Sequence, residues 1–192
     1  MKPPPATRAL DELAAAATAT KSLAPAIDAA GELLVATLRA GGKILACGNG
    51  GSAADASHLA EELVGRYRAS RRPLPALSLA ADPAALTCIA NDFGFEHVFS
   101  RQVEALAAAG DVLVGFTTSG NSPNIVAAFA AARARGVKTI LVSARDGGRC
   151  RGACDHELLV PTASPARAQE LHTFILHCWL EQIEAAFPAV PS

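Results

Sequence analysis

Lys43-Ile-Leu-Ala-Cys47 runs straight into Gly48-Asn-Gly-Gly-Ser52, and helical periodicity then resumes through Val64. A short apolar run, a glycine-rich turn and a helix make one strand–loop–helix unit. The unit recurs downstream. Ala76-Leu-Ser-Leu-Ala80 precedes a helical segment starting near Asp82-Pro83, then Asn91-Asp-Phe-Gly-Phe95 and a helix to about residue 109. Asp111-Val-Leu-Val-Gly-Phe116 leads into Thr117-Thr-Ser-Gly-Asn-Ser122 and a helix that ends before Gly136. Lys138-Thr-Ile-Leu-Val-Ser143 leads into Asp146-Gly-Gly148, and Glu157-Leu-Leu-Val160 makes a fifth strand. Short apolar strands alternating with helices predict an α/β fold: a single doubly wound, five-stranded parallel sheet covered on both faces.

Upstream, residues from about 7 to 23 read as a helix rich in Ala and Leu. A second helix runs from about Pro25, a favoured first-turn residue, to about residue 40, where Gly41-Gly42 stop it. At the other end a long C-terminal helix fills residues from about 166 to 186. Residues 1–40 are thus expected as N-terminal helices packed on the domain and an oligomer interface, and residues 41–192 as one domain.

The chain of 192 residues has a formal net charge of −1, with acidic and basic residues interspersed. That balance argues against nonspecific nucleic-acid binding, which draws on a dominant basic surface. No apolar run approaches the ~20 residues that span a bilayer. The start of the chain lacks a basic segment followed by an unbroken apolar one, so the cytoplasm is the expected compartment. Five irregularly spaced cysteines are expected as reduced thiols there. The cluster Arg66, Arg68, Arg71 and Arg72 reads either as a solvated loop or as a contact to an anionic substrate or another subunit.

In parallel sheets of this kind ligands bind beyond the carboxyl ends of the strands, where the strand order reverses. Two loops fall there. Gly48-Asn-Gly-Gly-Ser52 offers small residues, backbone N–H groups and a hydroxyl where a helix begins, a place that attracts phosphate. Thr117-Thr-Ser-Gly-Asn-Ser122 repeats the arrangement with hydroxyls on Thr117, Thr118, Ser119 and Ser122. Ordinary turns also use Gly and Ser as breakers and caps. Neither loop is a nucleotide fingerprint: no GxGxxG follows the first strand, and no GK[ST] closes a P-loop. A phosphorylated small molecule is the expected ligand.

His58 and Glu62 lie four apart on the helix after the first loop. That spacing sets them on one face, ~6 Å apart, suited to one ion, though surface hydrogen bonds use it too. The last helix carries Gln169, Glu170, His172, His177 and Glu181 among apolar residues, and His177–Glu181 repeats the HxxxE spacing. Cys150, Cys154 and His156 form a third donor set that lacks a fourth ligand nearby. Arg149 and Arg151 beside it oppose a cation.

Taken together, these residues resemble a known family. Gly48-Asn-Gly-Gly-Ser-Ala-Ala-Asp-Ala-Ser-His58-Leu-Ala-Glu-Glu62-Leu, Gly65-Arg-Tyr-Arg68, Asn91-Asp-Phe-Gly-Phe95 and Thr118-Ser-Gly-Asn-Ser122 look like the sugar isomerase (SIS) domain of phosphoheptose isomerases. So does Ala168-Gln169-Glu-Leu-His172 with His177. The likeness runs from about residue 30 to the C-terminus with the motifs in the same order. The Thr-Ser-Gly-Asn-Ser loop marks the wider superfamily; the HxxxE helix together with the QExH…H helix is more specific.

The resemblance implies a flavodoxin-like SIS fold and conversion of sedoheptulose 7-phosphate to D-glycero-D-manno-heptose 7-phosphate. That reaction opens the route to the activated heptose of bacterial lipopolysaccharide and related glycans. It also implies a homotetramer with one zinc per active site. Carried over by motif, the zinc ligands are His58, Glu62, Gln169 and His177. Substrate contacts fall on Asn49, Gly50, Gly51, Asn91, Asp92, Thr117, Thr118, Ser119 and Ser122, with Glu62 and Gln169 shared between metal and sugar. Ser52 joins them from its place at the helix start. Ala168, the plain Pro161-Thr-Ala-Ser-Pro165 segment and the non-acidic Ala166 depart from the family pattern and bear on pocket shape, not on the ligand set.

A ketose-to-aldose isomerisation moves a proton from C1 to C2 through an enediol. It needs a base over the carbon, a group for the oxygen protons, and stabilisation of negative oxygen. Glu62 is the expected carbon base, His177 the opposite acid/base and Asp92 a second proton carrier. The competing reading is a non-catalytic SIS protein that binds a replication initiator, a relative lacking the metal and base set. Gln169 and His177 differ by ~12 Å along one helix. Binding one ion therefore calls for long side chains, a frayed first turn at Gln169, or a ligand from a neighbouring chain. The last helix, apolar on many sides, is expected between its own sheet and another subunit.

Overall fold

The computed structural model describes residues 4–188. Five parallel strands form one sheet: β1 (Ile44–Gly48), β2 (Ala76–Ser78), β3 (Val112–Phe116), β4 (Lys138–Ala144) and β5 (His156–Val160). Their order is β2-β1-β3-β4-β5. Ile44 lies beside Ala76 on one side and Val112 on the other, and Gly48 lies beside Phe116. The chain therefore leaves β1 and β3 at the same level, on either side of the point where the strand order reverses. That point is the ligand crevice of doubly wound sheets.

Among the described residues, seven α-helices surround the sheet: α1 (Pro5–Thr20), α2 (Ala24–Arg39), α3 (Gly51–Val64), α4 (Pro83–Phe93), α5 (Ser100–Leu106), α6 (Pro123–Ala134) and α7 (Pro165–Ala186). Proline occupies the first turn of α1, α2, α4, α6 and α7, where its missing N–H costs nothing. Asp82 caps α4 by accepting the N–H groups of Ala84 and Ala85. The alternation of each strand divides its side chains between two cores. Ile44, Ala46, Val112, Val114, Ile140 and Val142 join residues of α2, α3 and α7 on one face. Leu45, Cys47, Leu113 and Leu141 join α5 and α6 on the other. Glycine permits two close approaches. A Cβ at Gly48 would lie 2.2 Å from Ser52 O, and one at Gly115 would lie 2.4 Å from the Phe129 ring.

Four expectations change. Asn91-Asp-Phe93 is the last turn of α4 rather than a loop, and Gly94, with φ 92°, ends the helix. Strand β2 has only three residues, and α5 stops at Leu106 because Ala107 turns to extended backbone. The side of α7 assigned to another subunit is filled by this chain's own α2. Trp179 Nε1 donates to Ile27 O at 2.9 Å, and Gly31 leaves room for Gln182. Of the large apolar residues on α7, Phe174 alone is exposed, at 53%. The burial of α7 thus gives no argument for a partner. No described helix is long and apolar enough to cross a membrane. All five cysteines are free; burial pushes the Cys47 thiol up, Cys150 to about 11 and Cys154 to about 12.

His172 is fully buried on the sheet side of α7, with Nε2 3.2 Å from Ser143 O. A carbonyl only accepts, so Nε2 carries the proton, and Nδ1 is left buried without a partner. Burial pushes this imidazole down to about 4, against the opposing effect of the Ser143 bond. Above pH ~6.5 the residue is neutral in both folded and unfolded chains. As pH falls from there towards 4, the unfolded chain takes up a proton that the folded chain refuses, and roughly 3 kcal/mol of stability is lost. Urea unfolding at pH 7.5 and pH 5 should show about 2 kcal/mol of this loss in the wild type and a smaller one in His172→Gln. Equal losses in both proteins would refute it.

Candidate active site

α3 leaves the β1 loop and α7 crosses the same face of the sheet, and the two meet at three levels. A Cβ at Gly51 would lie 2.5 Å from Gln169 Nε2. One turn on, Thr173 Oγ1 donates to Asp55 Oδ1 at 2.9 Å. A further turn on, the rings of His58 and His177 stand edge to face with centroids 5.1 Å apart. Residue numbers rise together on both helices, so they run side by side in the same direction.

At the third level His58 Nε2 lies 3.4 Å from Glu62 Oε1, with side chains 32% and 16% exposed. His58, Glu61 and Glu62 each offer a ligand atom within 4.8 Å of the others. Glu61 was not among the expected residues; its spacing of three from His58 serves the same helix face as the spacing of four. Burial and then the neighbouring His58 push the His177 imidazole down, while Glu62 partly opposes them. An imidazole and carboxylates that converge on one half-open spot fit a divalent cation with mixed N and O ligands. The rival pair is decided otherwise: Glu181 turns to Arg68, at 2.9 Å from Nη2. Among the described residues, Cys150, Cys154 and His156 form no such cluster.

Gln169 stands two turns from His177, inside an unbroken α7 that begins four residues earlier at Pro165 and is capped by Ser164. A frayed first turn at Gln169 is therefore excluded. Asp55 lies between the two levels, 7% exposed, with Oδ2 buried and unpartnered. Burial raises its carboxyl above the usual range, against the opposing effects of the Thr173 bond and His58.

The two loops at the switch point are tied to each other. Asn49 and Asn124 exchange side-chain amide hydrogen bonds at 2.9 and 2.8 Å. Asn124 escaped the sequence reading because Pro123-Asn124 reads as plain helix start. No side chain caps α3 or α6; the Ser52, Ala53 and Ile125 N–H groups bond to backbone carbonyls of the turns before them, at 3.0, 3.0 and 3.1 Å. Gly50, with φ 56°, makes the turn into α3, and Ser52 is buried in its first turn. Thr117 Oγ1 accepts the Gly120 N–H, and Ser119 Oγ accepts that of Asn121. Ser122 precedes α6 with its hydroxyl uncommitted to the helix, and Thr118 is half-buried beside it. Asn91 and Asp92 sit apart on the exposed end of α4, where Asn91 donates to Asp92 at 2.7 Å.

Comparison with known proteins identifies the family. Residues 10–144 match the SIS domain family model. Phosphoheptose isomerase of Helicobacter hepaticus is 51% identical over 164 residues, 85% of this chain and 84% of its own length. That of Edwardsiella ictaluri is 49% identical over 166 residues, 86% of each chain. The solved phosphoheptose isomerase of Neisseria gonorrhoeae superposes with a TM-score of 0.88 at 42% identity, covering 94% of this chain and 97% of that one. The Francisella tularensis enzyme gives a TM-score of 0.91 at 36% identity, covering 93% and 96%. On the family model, the identity to these relatives and the shared fold, the chain belongs to the SIS-domain family and, within it, to the phosphoheptose isomerases.

Proposed function

We propose that this chain isomerises sedoheptulose 7-phosphate to D-glycero-D-manno-heptose 7-phosphate through an enediol, feeding activated-heptose synthesis in the cytoplasm. The observation that carries the reading is the meeting of His58, Glu62 and His177 on the α3–α7 face. The uncapped starts of α3 and α6 flank that face at the switch point. The loop of Thr117, Thr118, Ser119 and Ser122, with Gly50, Gly51 and Ser52, binds the phosphate and near hydroxyls. Asn49 holds the first loop against the second through Asn124. Asn91 and Asp92 contact the substrate from the end of α4. Glu62 takes the C1 proton and returns it to C2, and His177 moves the proton between the O1 and O2 oxygens. Burial favours its neutral form, ready to accept. His58, Glu62, Gln169 and His177 hold one zinc, which when bound supplies Lewis-acid polarisation of the ketose carbonyl. Retention of this whole set speaks against a non-catalytic role.

The working form is a homotetramer, supported by exposed Leu10, Phe93, Phe95 and Phe174, with residues 1–40 contributing to its interfaces. The separation of Gln169 from His177 along α7 supports a site completed between chains.

Purified protein given sedoheptulose 7-phosphate should form the aldose, followed by NMR, and lose activity on treatment with a chelator; absence of product refutes the assignment. Elemental analysis should find about one zinc per chain, in keeping with a four-ligand site. His58→Ala combined with His177→Ala should lose it, and unchanged metal content would sink the ligand set. Glu62→Gln should lower kcat by ~10²–10⁴-fold with the fold intact. Retention of more than about a tenth of wild-type kcat, well short of that range, would remove Glu62 as the base.

A further inference from the structure

We propose that Tyr67 is a positioning residue for His177, pressed onto the imidazole by a loop that three separate anchors hold in place. The inference rests on the acid/base reading of His177. The loop is the segment between α3 and β2, which has no regular secondary structure over residues 66–75. Connections of that kind are ordinarily among the more mobile parts of a fold. Here its course is fixed at both ends of residues 67–72.

The first anchor is Arg71, one member of the basic cluster that the sequence left open. Its side chain is buried, at 7% exposure, and it is neither solvated nor turned to a ligand. Nη1 donates to Leu63 O at 2.9 Å and to Arg72 O at 3.0 Å, and Nη2 donates to Glu62 O at 2.6 Å. The guanidinium thus satisfies carbonyls at the end of α3 and sets positive charge at the negative end of its dipole. The second anchor is Glu184 on α7, whose Oε1 accepts the backbone N–H of Arg68 at 2.7 Å and of Ala69 at 3.0 Å. The third is Arg68, which pairs with Glu181 of α7 at 2.9 Å. Its guanidinium also lies 4.7 Å from the Tyr67 ring centroid, and its Nη2 donates to the Tyr67 hydroxyl at 3.1 Å.

Held between these points, Tyr67 stacks on His177 with centroids 5.5 Å apart and planes inclined by 27°. His58 meets the same imidazole nearly at right angles, with an interplanar angle of 83°. Stacking on one side and an edge contact on another fix the plane of the His177 ring, the torsion that otherwise ranges most freely in histidine. A proton carrier must point at its oxygen, and displacements near 1 Å cost about 10²-fold in rate. The same segment bonds the backbone of Glu62 through Arg71, so it braces both proposed acid/base residues.

Three variants, Tyr67→Leu, Tyr67→Phe and His177→Ala, test this, with Glu184→Ala as a second way to release the loop. The ring-proton NMR signal of His177 in metal-free protein, assigned by its loss in His177→Ala, reports the stack without reference to activity. Tyr67→Leu should shift that signal and lower kcat about 10–100-fold while KM changes by less than about twofold. Tyr67→Phe, which keeps the ring, should restore both, and Glu184→Ala should lower kcat in the same sense with an unchanged circular dichroism spectrum. An unshifted signal or wild-type kcat in Tyr67→Leu overturns the inference, as does an equal loss in Tyr67→Phe. Full activity in His177→Ala would instead overturn the acid/base reading on which it rests.

Discussion

Thr173 Oγ1 donates to Asp55 Oδ1 at the middle of the α3–α7 contact, and this bond marks the register in which the two helices meet. Sliding α7 by one turn, ~5.4 Å, would break it and would separate Gly51 from Gln169 and His58 from His177 together. The register is locked from the other side of α7 as well, by Trp179 on Ile27 and by Gln182 seated against Gly31. A buried carboxylate with one unpartnered oxygen is costly in itself. Its position between two levels of functional side chains gives that cost a use, since Asp55 fixes where those levels fall.

The sheet supplies the second constraint. Strand order reverses between β1 and β3, so the loops that follow them face each other across the crevice. The paired amides of Asn49 and Asn124 set their separation. α3 begins in one of these loops and carries His58 and Glu62 two to three turns later. Phosphate-binding groups and acid/base groups therefore stand at fixed distances along a single helix, an arrangement matched to a linear sugar with a phosphate at one end.

Most of this fold was legible because strand alternation and glycine-rich turns are local signals. The Lys43–Ser52 stretch alone announces a strand entering a helix, and all five strands fall where apolar runs precede loops. Asn91 and Asp92 misled, since polar residues before a glycine look like a loop, whereas Gly94 marks where a helix ends. Contacts between elements were not legible. Nothing in the order of residues tells that Thr173 faces Asp55 or that Asn124 faces Asn49. The basic run from Arg66 to Arg72 gave no sign that Arg71 is buried on α3 while Arg68 reaches α7. That α7 is covered is legible in its apolar pattern, but that α2 supplies cover is not, because a helix pattern states that a face is covered and not by what.

The central claim is that side chains on α3 and α7 carry a proton between adjacent carbons of a sugar phosphate. Running the reaction of sedoheptulose 7-phosphate in heavy water and locating deuterium in the aldose by NMR tests it most directly. Glu62 is partly open to solvent, which gives a proton held on its carboxyl a route to exchange before it is returned. The account predicts solvent deuterium at C2 of the product, and a rate that collapses in Glu62→Gln. A product formed at full rate by Glu62→Gln, with only protium at C2, would contradict it.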